Sequence, residues 1–171
     1  MDLKQLIRDI PDFPEPGVVF KDITPVLAST EAFSQLITEL ADPFRDSGVT
    51  KVAGIEARGF TVAAPMAIEL EAGFIPIRKP GKLPYETASE QYELEYGSDT
   101  LEIHTDAFEA GEKVLLVDDV IATGGTAAAA IKLLGDLGAD VAGIAVFIEL
   151  IFLGGRKALE DVPIHTILGY D

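Results

Sequence analysis

One segment, residues 114–126, constrains the fold of this chain more than any other. Four apolar residues at 114–117 predict a buried strand, Asp118 and Asp119 follow, and a turn of small residues comes next. The turn consists of Ala122, Thr123, Gly124, Gly125 and Thr126. A helical pattern begins directly afterwards, and the N–H groups and dipole at a helix N-terminus favour an anion. The segment therefore predicts a strand–turn–helix unit with a phosphate site at its turn and carboxylates beside it.

The turn differs from two common nucleotide-binding loops. No lysine follows its glycines, as in nucleoside triphosphatases, and it does not match the Gly-x-Gly-x-x-Gly dinucleotide turn. Its glycines allow the backbone to approach an anion closely, while Thr123 and Thr126 add hydroxyl donors. For the turn taken alone, one alternative stays open: Gly124 and Gly125 only reverse the chain and Asp119 caps the helix.

The rest of the chain alternates between strand and helix patterns. Strands are predicted at 52–55, 74–77, 114–117, 141–148 and 164–168, and helices at 33–40, 60–70 and 126–137. This alternation predicts an α/β fold, with a mainly parallel twisted sheet flanked by helices on both faces. Ligands of such sheets bind beyond the carboxyl ends of the strands, which is where Asp118 and Asp119 are expected.

Two segments depart from this alternation. At the N-terminus, the spacing of Leu3, Leu6, Ile7 and Ile10 predicts a helix stopped by Pro11, and four prolines predict an irregular course over 11–25. Further on, apolar residues alternate with polar ones at 92–96 and again at 101–103, with Gly97-Ser98-Asp99 between them, which predicts a β-hairpin.

Composition excludes several functional classes. The 171 residues, 48% of them hydrophobic, suit one globular domain, and no apolar run is long enough to span a bilayer. A formal net charge of −16 argues against general binding of nucleic acid, which needs a basic surface. The absence of cysteine excludes disulfides and thiolate catalysis, and it suggests a cytoplasmic location. Adaptation to a salt-rich cytoplasm and an ordinary acidic surface are both open readings of the charge.

A second candidate anion site follows the strand predicted at 52–55. Arg58 begins the next predicted helix, where a cation is unfavourable unless it meets an anion or pairs with a nearby carboxylate. Residues 78–82 place three of only 13 basic residues, Lys79 among them, in one short stretch. Such clustering in an acidic chain favours a polyanionic ligand, with a merely solvated basic loop as the alternative.

These motifs resemble those of a known family. The Asp-Asp pair and the Ala-Thr-Gly-Gly-Thr turn are similar to the ribose-phosphate site of the type I phosphoribosyltransferases. Three further segments, 14–25, 78–84 and 94–103, resemble the adenine-specific branch of that family. The resemblance covers nearly the whole chain. It implies one domain over residues 1–171, with a hood at about 11–30 and a lid at about 79–105.

The resemblance also implies roles for the phosphate and ribose ligands. Asp118 and Asp119 match the acids that hold the ribose hydroxyls, and residues 122–126 match the loop that holds the 5′-phosphate. Arg58 and Lys79 match the cations that meet pyrophosphate. Whether Lys79 does so across a dimer interface stays open.

For the base, the resemblance implies a pocket between two apolar walls. Phe20 matches the ring that stacks on adenine, Val120 the opposite wall, and Lys21 a basic position of the hood. Glu95 matches a residue implicated in proton transfer, and Tyr96 would close over the reacting centre. From pattern alone, Phe20 is more often a core residue than a base platform, and the strand that carries Glu95 resembles an ordinary solvated edge.

The implied reaction joins adenine to 5-phosphoribosyl 1-pyrophosphate (PRPP) and yields AMP and pyrophosphate. The resemblance further implies Mg²⁺ held mainly by the substrate rather than by the protein, and a homodimer. Two alternatives remain: a non-enzymatic regulator that senses PRPP, and a transferase for another purine.

Overall fold

A central parallel sheet organises the computed structural model, which describes residues 1–94, 96–159 and 161–171. The strands are β1 (Arg8–Pro11), β2 (Val19–Asp22), β3 (Lys51–Ile55), β4 (Gly73–Ile77), β5 (Thr87–Glu93), β6 (Ser98–His104), β7 (Lys113–Ile121), β8 (Asp140–Leu150) and β9 (Ile164–Tyr170). The α-helices are α1 (Thr24–Ala28), α2 (Thr30–Ala41), α3 (Arg58–Glu69) and α4 (Gly125–Asp136). Five strands pair in parallel in the order β4-β3-β7-β8-β9. The predicted α/β class with a mainly parallel sheet is confirmed.

The middle strand, β7, shows why the sheet is central. Its first apolar residues are fully buried and alternate between the two faces of the sheet. Leu115 and Val117 pack in a cluster with residues of α2 and α3, whereas Val114 and Leu116 pack in a second cluster with residues of α4. A strand covered on both faces needs apolar residues at every position, which explains the continuous run in the sequence.

The hairpin predicted near residue 97 is present. Strands β5 and β6 pair antiparallel, with Thr87 opposite His104 and Glu93 opposite Ser98. Leu101 and Ile103 are fully buried in the cluster that contains α4. The hairpin is therefore packed on the helix that follows the glycine-rich turn.

The prediction of a helix at the N-terminus is wrong. Residues Leu3–Leu6 form only a 3-10 turn, with the Asp2 carboxylate accepting from the Lys4 backbone N–H. Strand β1 follows and pairs antiparallel with β2, so the irregular course expected over 11–25 is also interrupted by a strand. Periodicity within a short segment cannot reveal this, because the hydrogen bonds that stabilise β1 come from residues about ten positions further along the chain.

The predicted helices at 33–40, 60–70 and 126–137 correspond to α2, α3 and α4. Helix α3 continues through Pro65, whose neighbours Val62 and Met66 are fully buried against the sheet. Tertiary packing thus offsets the hydrogen bond that proline removes. Within the described part of the chain, no helix combines the length and apolar character that crossing a membrane requires.

Two phenylalanines near the end of β8 test this account of the core. Phe147 is fully buried beneath α2 and α3, whereas Phe152 is 65% exposed in the turn after β8. We expect Phe147→Ala to lower the free energy of unfolding by about 3–5 kcal/mol, because it leaves a cavity. Phe152→Ala should change it by about 0.5 kcal/mol or less. Urea denaturation of both variants measures the difference, and equal losses would contradict the assignment of the core.

Candidate active site

At the carboxyl edge of the sheet, a cleft of about 420 Å³ opens between the ends of β3 and β7. Strand β4 lies on one side of β3, while β7, β8 and β9 extend from the other, so the strand order reverses between β3 and β7. Open α/β sheets bind ligands at such reversal points. The cleft is lined by Ile55, Glu56, Ala57, Arg58, Lys79, Asp118, Asp119, Val120, Ile121, Ala122, Thr123, Gly124, Gly125, Thr126 and Ala127.

The glycine-rich turn forms the floor at the N-terminus of α4. Gly124 precedes the helix in a left-handed conformation, with φ of +84°, which glycine adopts without strain. A Cβ atom at Gly124 would also collide with the carbonyl oxygen of Gly155, and one at Gly155 would collide with that of Ala122. The turn therefore needs glycine at both 124 and 155, and it leaves the first N–H groups of a twelve-residue helix directed at the cleft.

The two acidic residues occupy different environments. Asp119 is only 4% exposed, and its Oδ2 lies 3.0 Å from Nε of Arg58. Asp118 lies against the first turn of α3, where a Cβ on Gly59 would collide with its Oδ1. Burial, and then the negative charge of Asp119, raise the pKa of Asp118 well above its usual range. The sequence presents an equivalent pair, whereas the structure gives one ion-paired carboxylate and one destabilised carboxylate.

Arg58 connects the cleft to the N-terminal segment. Besides Asp119, its guanidinium contacts the ring of Phe20, with Cζ 4.6 Å from the ring centroid. The sequence left open that Arg58 pairs with a nearby carboxylate. The structure contains such a pair, and its carboxylate, Asp119, is one of the two candidate ribose ligands. Strand β2 brings Phe20 to the edge of the cleft through this contact.

The opposite side of the cleft carries the basic stretch after β4. The Lys79 backbone N–H donates to Oε1 of Glu56 at 2.5 Å, and the Lys79 ammonium pairs with Asp99 on β6. Arg78 pairs with the other oxygen of Glu56, with Nη2 to Oε2 at 3.4 Å. Burial alone would raise the pKa of Glu56, but hydrogen bonds from Lys79 and Arg78 and the charges of Arg78 and Lys82 outweigh it and lower the pKa below its usual value. Glu56 therefore fixes the basic stretch beside the end of β3.

The structure brings most of the candidate residues together. The cleft is lined by Arg58, Lys79, Asp118, Asp119, Val120 and residues 122–126. Three candidates do not line it: Phe20 contacts Arg58 at its edge, the Lys21 ammonium is 2.6 Å from Oδ1 of Asp9 and stacks over Tyr170, and Tyr96 is 88% exposed. Glu95 lies outside the described residues.

Sequence reasoning gave no role to several residues of the site, among them Glu56, Gly59, Tyr92, Asp99 and Gly155. Each acts through a contact with a residue distant in the chain, so no local spacing signals it. The glycine at 59 follows Arg58 directly, which is the one local hint that the backbone there needs space.

Comparison with known proteins identifies the family of the chain. A family model for the phosphoribosyl transferase domain matches residues 26–164. An adenine phosphoribosyltransferase of Microcystis aeruginosa is 55% identical over 172 residues, which cover 99% of this chain and 100% of that protein.

Two solved structures extend the comparison. The adenine phosphoribosyltransferase of Rhodothermus marinus is 56% identical with a TM-score of 0.95, covering 98% of this chain and 96% of that one. The enzyme of Saccharomyces cerevisiae, complexed with adenine and an imino-altritol bisphosphate, is 40% identical with a TM-score of 0.92, covering 96% of each chain.

The chain belongs to the phosphoribosyl transferase family. Within that family its relatives at about half identity over the full length are adenine phosphoribosyltransferases.

The environment of Asp118 predicts a change in stability with pH. Because its folded pKa is raised, the folded state binds the proton more tightly than the unfolded chain, so this carboxyl destabilises the fold as pH rises through the unfolded pKa and beyond. We expect Asp118→Asn to raise the melting temperature by a few degrees at pH 7–8, with a gain that shrinks towards pH 4. Asp106→Asn, at an exposed turn, is the control and should leave it unchanged. Scanning calorimetry of both variants measures this, and a gain that is constant with pH would contradict it.

Proposed function

We propose that the chain transfers the 5-phosphoribosyl group of PRPP to adenine, giving AMP and pyrophosphate. The observation that supports this most strongly is the pair of turns at the ends of β3 and β7. One presents a helix N-terminus and the other presents Arg58, and they face each other across one cleft. PRPP carries a phosphate group at each end of a ribose, so its charges match two separated anion sites.

The ribose and its phosphates are assigned to the floor and sides of the cleft. The N–H groups and hydroxyls of residues 122–126 hold the 5′-phosphate, because donors to a charged group contribute about 1.5–3 kcal/mol each. Asp118 and Asp119 accept hydrogen bonds from the ribose hydroxyls. Burial makes the charged form of the Asp118 carboxyl unfavourable. A ribose hydroxyl can donate a hydrogen bond to this carboxylate and offset part of that cost, and unlike a second carboxylate it adds no negative charge.

The electrostatics of the cleft suit departure of pyrophosphate. As the bond from ribose C1 to pyrophosphate breaks, negative charge grows on the leaving oxygens and positive charge grows on the ring. Arg58 and Lys79 stabilise the first, and the carboxylates of Asp118 and Asp119 stabilise the second. These residues position the substrates and stabilise the developing charges, and they form no covalent intermediate with the substrates.

Adenine is assigned to the space between the hood and β7. Phe20 stacks on one face of the ring and Val120 closes the other, which agrees with the contact between Phe20 and Arg58 at the edge of the cleft. Lys21 contributes to the hood, where its pairing with Asp9 ties β2 to β1. Glu95 and Tyr96 are assigned to the lid, where Glu95 takes part in the transfer of the proton that adenine loses. The bound adenine of the yeast relative supports the choice of base.

Mg²⁺ fits the donor set of the cleft as an ion held mainly by the substrate. No group of three or more His, Asp or Glu that could hold a metal occurs among the described residues, but Asp118 and Asp119 place carboxylate oxygens beside the assigned phosphate sites. Mg²⁺ binds phosphates through few protein carboxylates and keeps several waters. When bound, it neutralises charge on the pyrophosphate.

A homodimer and a cytoplasmic location complete the proposal. The family resemblance supports a dimer, as does Ile68, which is 81% exposed on α3 beside a groove formed with α2. The absence of cysteine suits a reducing compartment. Sedimentation equilibrium that finds only the 18.2 kDa chain at working concentration would contradict the dimer.

The experiment that tests the function is release of pyrophosphate from PRPP and Mg²⁺ with each purine base in turn. We expect turnover with adenine and at least about 100-fold less with hypoxanthine, guanine or xanthine, because a site built to pair one base edge leaves polar groups unpaired with another. A double variant, Asp118→Asn with Asp119→Asn, should remain folded and lose most of the turnover. Turnover with another base alone, or with none, would overturn the proposal.

The role of Glu95 predicts a separate kinetic signature. Glu95→Gln keeps the size of the side chain and removes the carboxylate, so it should lower kcat by about 10²–10⁴-fold while changing the KM values for adenine and PRPP little. Steady-state kinetics measures this. Glu93→Gln, two positions away on β5, is the matched control and should retain wild-type kcat. An unchanged kcat in the Glu95 variant would leave it as lid surface only.

A further inference from the structure

The hydroxyl of Tyr92 lies where three parts of the site meet. Tyr92 is near the end of β5, directly opposite Asp99 in the hairpin. Its Oη lies 3.3 Å from Nζ of Lys79 on the pyrophosphate side of the cleft, and 3.3 Å from Oγ1 of Thr126 in the glycine-rich turn. One side chain thus contacts both assigned anion sites.

The hydrogen-bonding capacity of this hydroxyl is filled. A phenol has one proton to donate and two lone pairs that accept. The Tyr92 hydroxyl accepts from the Lys79 ammonium and from the Thr126 hydroxyl, and it donates to Oδ2 of Asp99 at 3.4 Å. Asp99 in turn pairs with Lys79, which closes a ring of contacts.

The ring of Tyr92 is held independently of its hydroxyl. The side chain packs against the apolar cluster that contains Leu101, Ile103 and residues of α4. Two further contacts fix the hairpin: Lys132 of α4 pairs with Glu90 of β5 at 2.9 Å, and the backbones of Arg78 and Glu102 form a bridge. Removing the hydroxyl alone therefore tests its bonds without removing the support of the ring.

We propose that Tyr92 is a positioning residue that ties the lid hairpin to the glycine-rich turn and orients Lys79 towards pyrophosphate. Lysine has a flexible four-carbon side chain with three donors on its ammonium. Asp99 and Tyr92 engage two of these donors from the lid side, which leaves the third for a phosphate oxygen. The inference rests on the proposed function, since it assigns Lys79 and Thr126 to the two ends of PRPP.

The connection can persist when ligand binds. If Thr126 donates its single proton to the 5′-phosphate, the contact between Thr126 and Tyr92 remains possible with the Tyr92 hydroxyl as donor. Lys79 then keeps Asp99 as its partner. The Tyr92 hydroxyl thereby links ligand binding at the 5′-phosphate site to the position of the β5–β6 hairpin. In the sequence, the segment that connects these two strands, 94–97, includes Glu95.

The test is Tyr92→Phe, with Tyr85→Phe as the matched control. Tyr85 is 58% exposed, and its ring packs edge-on against His104 rather than in the cleft. We expect Tyr92→Phe to raise the KM for PRPP and the Kd for magnesium pyrophosphate by about 3- to 10-fold, as loss of one or two hydrogen bonds implies. The KM for adenine should stay within about twofold, and Tyr85→Phe should leave all three constants unchanged.

A double-mutant cycle separates positioning from general loosening of the hairpin. In a Lys79→Met background, Tyr92→Phe should change the Kd for magnesium pyrophosphate by less than about twofold, because the residue it positions is gone. Three results would each overturn the inference. They are a full effect of Tyr92→Phe on this Kd in the Lys79→Met background, wild-type constants in Tyr92→Phe alone, and equal losses of affinity in Tyr92→Phe and Tyr85→Phe. An inactive wild-type enzyme would instead refute the proposed function, so the two failures are distinguishable.

Discussion

Parallel pairing of β3 with β7 is the constraint on which the rest of the site depends. The register places Lys51 beside Val114 and Gly54 beside Val117, so both strands end at the same edge of the sheet. Glu56 and Arg58 then leave one strand where Asp118 and Asp119 leave the other. Because the buried apolar run of β7 fixes this register from both faces, the hydrophobic core holds the two proposed anion sites at a constant separation.

The cations of the cleft are paired with carboxylates before any ligand arrives. Among the described residues, Arg58 pairs with Asp119 and Lys79 with Asp99 at the cleft, and Arg78 pairs with Glu56 beside it. In a chain of net charge −16, these partners orient the cations and keep them from pairing elsewhere. A polyanionic ligand must compete with the acids, so its binding depends on having several phosphate oxygens that act together rather than on long-range attraction.

Sequence reasoning succeeded where the structure follows from local pattern. The continuous apolar run of β7, the helical faces of α2, α3 and α4, and the turn residues near Gly97 each predicted an element that is present. It failed at the N-terminus, where apolar residues spaced like a helix instead belong to a 3-10 turn and to β1. It also missed Tyr92 and Gly155, because their partners lie about 13 to 34 residues away in the chain.

The sequence by itself determined the chemistry of the site. The Asp118-Asp119 pair and the small residues at 122–126 specify a glycine turn at a helix N-terminus with neighbouring carboxylates, because glycine conformation and helix N-termini are local properties. Only the tertiary structure decided how these groups differ. It pairs Asp119 with Arg58, leaves Asp118 with a raised pKa and directs Lys21 away from the cleft. Burial and ion pairing depend on which distant segments pack together, and no spacing along the chain encodes them.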